Sequence, residues 1–156
     1  VLVLGVGNRL LTDEGAGVHV VEHLAREHPD LAGVTWLDGG TLSFTLAGPI
    51  EETDALIVVD AADLGAAPGT VRVYQGAEMD RFVGRARLSV HEVSLLDLLA
   101  IARLTGHLPG HRALVGIQPA DLGWGDQPGP VVAAAVPAAA AEVLALIRAW
   151  RESTAA

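Results

Sequence analysis

The chain has 156 residues, a formal net charge of −9, an apolar fraction of 51% and only 4% aromatic residues, so Ala, Val and Leu must build the core of one expected domain over 1–156. Cysteine and lysine are both absent, all ten basic residues being arginine; this excludes disulfides, thiolate nucleophiles, Cys-ligated metals, a Walker A loop and lysine catalysis. The acidic balance argues against nucleic acid and against an anionic membrane surface as partners, because both need basic surface.

VLVLGVG (1–7) reads as a buried strand ending in glycine. Val18, Val21, Leu24 and Ala25 recur at three- and four-residue steps, which predicts a helix from Glu14 to about His28, capped by Thr12 or Asp13 and stopped by Pro29. GVTWLDGG (33–40) predicts a second strand, 41–50 a short helix, and ALIVVDAAD (55–63) a third, buried strand. GTVRVYQ (69–75) alternates and predicts a strand with one exposed face. Val93 to Thr105 is strongly helical, RALVGIQP (112–119) is a strand, 120–130 is a Gly/Pro/Asp loop and 131–151 is a terminal helix entered or kinked at Pro137. The apolar stretch within that helix is broken by Pro137 and Glu142, short of the roughly 20 residues that span a bilayer. No basic segment precedes the first apolar run, so no secretory leader is expected and the cytoplasm is the expected compartment. The alternation of strands and helices defines an α/β protein with a mostly parallel central sheet covered on both faces.

In such sheets ligands bind beyond the carboxyl ends of the strands. Asn8, Asp13 and Glu14 follow the first strand there, Asp38 ends the second, Asp60 the third and Gln118 the last, while His91 and Glu92 precede a helix. The first turn is not a dinucleotide loop: Gly5-x-Gly7 is followed by Leu10 where a third glycine belongs, and Asp13 and Glu14 stand where a phosphate needs bare backbone. Glu14 alone could simply complement a helix dipole, Asp60 could cap a turn, and His91 could be a capping or core histidine. Together, from three segments that the fold should bring to one crevice, they make a two-oxygen, one-imidazole set suited to a borderline divalent cation. Asp13 is expected as a capping or supporting neighbour of Glu14. His19 and His23 share a helix face with Glu22 and Arg26 and are expected on a solvated face; His107 and His111 flank a Pro-Gly turn. No serine-hydrolase elbow and no H-E-x-x-H occur.

GVGNRLLTDEGAGV (5–18) closely resembles the first motif of the hydrogenase maturation proteases, and the resemblance continues in order through LDGGT (37–41), IVVDAAD (57–63), PGTVRVY (68–74), SVHEVSLLDLL (89–99) and VGIQP (115–119). Within the family the chain is most similar to enzymes serving uptake-type hydrogenases. The resemblance implies a three-layer sandwich with a five-stranded, mostly parallel sheet. It implies a metal-binding triad of Glu14, Asp60 and His91, a role in activity for Asp38, and catalytic roles for Asp60 and Glu14 as well. It further implies an endopeptidase that trims the C-terminus of the nickel–iron hydrogenase large-subunit precursor. The nickel is expected to be borne by that substrate, with another divalent cation able to occupy the site in isolation. Water activation would fall to Asp38 or a metal-adjacent acid, or the nickel itself would supply hydroxide. The alternative from another class is a non-catalytic nickel-binding chaperone of hydrogenase assembly. A flavin or nucleotide module is a third reading that no motif favours.

Overall fold

The computed structural model describes residues 1–85 and 93–155. Five strands form one sheet: β1 (Leu2–Val6), β2 (Thr35–Gly40), β3 (Ala55–Ala61), β4 (Val71–Gln75) and β5 (His111–Ile117), in the order β2-β1-β3-β5-β4. All pairs are parallel except β4 against β5. The helices are α1 (Ala16–Glu27), α2 (Ala47–Glu51), α3 (Ala77–Arg85), α4 (Leu95–Leu104) and α5 (Pro130–Ala155). The expected α/β sandwich is therefore present, with β4 as the antiparallel edge.

The interior strands are buried on both sides, and their alternation sorts the core into two layers. Val3, Ile57, Val59, Ala113 and Val115 face α1 and α5. Leu2, Leu4, Leu56, Val58 and Leu114 face α2, α3 and α4. The edge strand β4 is only half-buried, as its alternation predicts.

Three elements differ from the sequence expectation. The first helix begins later: Thr12–Gly15 is a 3-10 turn with no side-chain cap, and Gly15 precedes α1. Thr12 and Asp13 do not cap because their side chains are bound elsewhere: Thr12 Oγ1 donates to Asp121 O, and Asp13 accepts from Ala120, Asp121 and Gly129. α3 was not foreseen; nine residues with only Met79 and Val83 buried leave a faint apolar period. α5 runs unbroken through Pro137. By length and composition α5 could cross a membrane, but Val132, Ala139, Val143 and Ile147 pack on the sheet and α1, so it serves as a core helix. α4 begins with a capping box, Ser94 Oγ and the Asp97 carboxylate each serving the other's backbone N–H.

Candidate active site

Two glycines let the chain bring β1, the 3-10 turn and β3 together. Gly7 follows β1 with φ +139°, and a Cβ there would lie 1.8 Å from the Glu14 carbonyl oxygen. Gly17 lies where α1 crosses the sheet: a Cβ would stand 2.0 Å from Val59 O and 2.5 Å from Val6 O. With α1 seated this closely, Glu14, one turn earlier, reaches the carboxyl end of β3, where Asp60 follows Val59. The opening motif's glycines therefore do serve close packing, as in a phosphate-binding turn, while the carboxylate supplies the opposite charge.

Glu14 and Asp60 line one cleft of about 790 Å³. Its position follows from strand parity. Asp60 alternates with Leu56 and Val58, so it points to the α3/α4 side of the sheet. The cleft opens there, with apolar walls from Phe82, Val83, Val93, Leu95 and Leu96 and with Thr41, Leu42, Asp63 and Arg85 also contributing. Leu42 holds φ +68°, and is the only non-glycine residue with positive φ among the described residues. Such backbone is unfavourable for a branched side chain and is characteristic of functional sites. The Gly39-Gly40-Thr41 turn signal before it was the only sequence hint of this wall.

Burial pushes the Asp60 carboxyl well above the usual carboxylate range; the nearby charge of Glu14 adds to this, and the Ala61 backbone N–H opposes it. Two carboxylates in a half-closed cleft repel, and a cation between them would relieve both the repulsion and the desolvation. The donor chemistry thus fits a divalent metal. His91, the third expected ligand, lies in 86–92, outside the described residues. Among the described residues no group of three or more His, Asp or Glu side chains that could hold a metal ion forms, here or elsewhere.

Asp38 is placed differently. On β2 it alternates with Trp36, which packs on the α1/α5 core, whereas Leu37 packs on the opposite core. Its side chain lies on the α1 side, exposed, 3.2 Å from Arg9, which in turn pairs with Glu22 of α1. Its Oδ1 accepts the Gly40 N–H at 2.8 Å. It is not among the residues lining the cleft.

Asp13 is fully buried and anchors the loop after β5, accepting N–H groups from Ala120 (2.8 Å), Asp121 (2.7 Å) and Gly129 (2.7 Å). Burial raises its pKa, but the N–H groups of Asp121, Ala120 and Gly129 together bring it below the ordinary value. It supports the turn carrying Glu14 from behind. His19 is less solvated than expected: its side chain is 16% exposed, near Glu22, and Nε2 has no hydrogen-bond partner among the described residues. His107 is exposed; His111 opens β5 and stacks on Trp150.

The chain is an α/β protein with a carboxylate pair, Glu14 and Asp60, in a cleft at the sheet's carboxyl end. The family model for hydrogenase maturation protease matches residues 18–146, and the chain belongs to that family. It is 42% identical over 151 residues to the hydrogenase expression/formation protein HupD of Rhodobacter capsulatus, covering 96% of this chain and 72% of that protein. It is 38% identical over 151 residues to the hydrogenase 2 maturation protease of Escherichia coli K12, covering 95% and 90%. Among solved structures, the hydrogenase maturating endopeptidase HybD from E. coli superposes with a TM-score of 0.83 at 40% identity, over 97% of this chain and 92% of that one. The chain is thus a peptide hydrolase of hydrogenase maturation, and the fold agrees with the expected three-layer sandwich.

Proposed function

We propose that this enzyme removes the C-terminal extension of a nickel–iron hydrogenase large-subunit precursor after nickel insertion, and that it recognises the nickel which that substrate carries. The observation that supports this most directly is the Glu14–Asp60 pair lining a cleft of about 790 Å³ at the carboxyl end of the sheet. Glu14, Asp60 and His91 hold the substrate's metal, which brings the adjoining peptide bond into register. One carboxylate of the pair takes a proton from the attacking water as its oxygen bonds to the scissile carbonyl carbon; the departing amine receives a proton as the C–N bond breaks. Asp38 acts from behind the wall, its bond to Gly40 N–H and its pair with Arg9 ordering the turn that presents Thr41 and Leu42. The compartment proposed is the cytoplasm, testable by fractionation of the tagged chain.

The test is the intact mass of nickel-loaded large-subunit precursor after incubation with enzyme. Loss of a C-terminal peptide with wild type, and none with Glu14→Gln, Asp60→Asn or His91→Ala, is the expected result. An unchanged mass together with tight nickel binding by the free chain would instead support a metal-delivering chaperone. The endopeptidase names of the relatives support the first outcome.

A further inference from the structure

Exposed large apolar side chains gather at one end of the molecule. Leu10 follows β1, Phe44 follows β2, Leu122 and Trp124 follow β5, Leu96 opens α4 at the cleft and Val131 opens α5. All six lie at the carboxyl end of the parallel strands. Among the described residues the one other exposed large apolar side chain, Leu104, ends α4 at the opposite end. Trp124 is 84% exposed and Leu10 61%. A parallel bridge between Leu11 and Gly125 sets Leu10 level with Trp124.

The loop bearing Trp124 is held in place. Asp13 fixes both its ends through Ala120, Asp121 and Gly129. Thr12 Oγ1 donates to Asp121 O at 2.6 Å, and Gly123 N–H donates to Asp121 Oδ1 at 2.8 Å. A tryptophan presented by a clamped loop is pre-organised for contact, and aromatic anchors of this kind dominate protein interfaces. Exposed apolar side chains set side by side, as Leu10 and Trp124 are, with polar neighbours such as Arg9, Asp121 and Asp126 along the chain, are the composition of an interaction surface.

We infer that the carboxyl end of the sheet around Leu10, Leu122 and Trp124 is a docking face for the folded body of the precursor, separate from the cleft that receives its tail. This rests on the proposed reading of the substrate. The occupant follows from continuity. Leu10 and Glu14 both lie on the connection between β1 and α1 at the carboxyl end of the sheet, Leu10 toward α1 and α5 and Glu14 in the cleft on the α3/α4 side, so a folded protein whose metal reaches Glu14 is brought to the end of the sheet that carries Leu10 and Trp124. A tail in the cleft alone would bury far less than the roughly 800 Å² per partner of a standard interface.

The experiment measures affinity and kinetics with nickel-loaded precursor for wild type, Trp124→Ala, the double variant Leu10→Ser/Leu122→Ser, Trp124→Phe, and Leu104→Ser at the far end. The expected result is a Kd and KM at least tenfold higher for Trp124→Ala and the double variant, with kcat within twofold and melting temperature unchanged. Trp124→Phe regains most of the affinity, and Leu104→Ser matches wild type. Affinity within twofold of wild type for both patch variants overturns the inference, as does a loss that tracks a lowered melting temperature. So does a wild-type dimer that Trp124→Ala dissociates without changing precursor affinity, which would assign the face to a second copy. If wild type binds the precursor but never cuts it, the proposed function fails while the binding arm still decides the docking face.

Discussion

Asp13 and Glu14 are neighbours in the chain with opposite surroundings. Asp13 is sealed behind the turn among three backbone N–H donors, whereas Glu14 lines the cleft. Asp13→Asn keeps one acceptor oxygen but turns an amide N–H₂ toward donors; about 2–4 kcal/mol of stability should be lost, measured by urea denaturation. The pH dependence has a definite sign. The folded pKa of Asp13 is lowered, so its contribution is complete above the unfolded value near ~3.9 and is lost as pH falls through the lower folded value. The deficit of Asp13→Asn should therefore be constant from pH 7 to pH 5 and shrink below about pH 4; a deficit that persists undiminished to pH 2 would contradict this. For Asp38, the α1-side placement supports the proposed positioning role over base chemistry. Asp38→Asn retains an acceptor for Gly40 N–H, so processing should fall by no more than about tenfold, and Asp38→Ala by more. Near-complete loss in Asp38→Asn, with wild-type stability, would return the water-activating role to this carboxylate.

At the scale of elements, the seating of α1 on β1 and β3 determines the site. Gly17→Ala forces backbone carbonyls of Val59 and Val6 apart and should cost about 3 kcal/mol or more in a thermal or urea melt. Gly48→Ala, within α2 and with nothing near its Cβ position, should leave stability equal or raised by up to about 1 kcal/mol. The opposite core layer is held by Asp80 of α3, which accepts from Arg112 of β5 at 2.9 and 2.7 Å and from Arg103 of α4 at 2.9 Å. Arg112 chiefly, and Arg103 with it, hold the Asp80 carboxyl below its ordinary value against the effect of burial. Asp80→Ala strands the mostly buried Arg112 guanidinium and should lose roughly 1.5–3 kcal/mol by denaturant titration. That cost should also shrink in acid, since a lowered pKa places its stabilisation above the unfolded value.

At the scale of the whole molecule, function and docking share one end of the sheet. The net charge is −9, and among the described residues all the exposed large apolar side chains except Leu104 lie at the carboxyl end of the sheet. If nickel on the substrate supplies recognition, precursor from cells starved of nickel should stay uncut by wild-type enzyme at concentrations that fully process the loaded form. The measurement is the precursor's intact mass before and after nickel restoration. Equal cleavage of both forms would remove the metal from recognition and leave the docking face and cleft as its basis.

The sequence by itself determined the architecture and the meeting of Glu14 and Asp60 in one cleft. Buried runs in β1, β3 and β5 are three to five apolar residues, each ending at a glycine or a carboxylate, and burial on both faces leaves them no other place than a covered parallel sheet. Asp60 was legible because a carboxylate within an apolar strand tail is costly without a partner; Glu14 alone reads as a complement to a helix dipole, and only the crevice it shares with Asp60 sets it apart. The start of α1 and the role of Asp13 were not: a carboxylate that caps a helix and one that anchors a loop more than a hundred residues away look alike in one dimension. α3 escaped because its short, amphipathic period carries too few apolar residues. Strand parity relative to the two core layers could be assigned only once the register was known, so only the tertiary structure separated Asp60, facing the cleft, from Asp38, facing α1. The same holds for Trp124, whose significance lies in a clamp built from Thr12 and Asp13, residues that long-range packing alone brings to it.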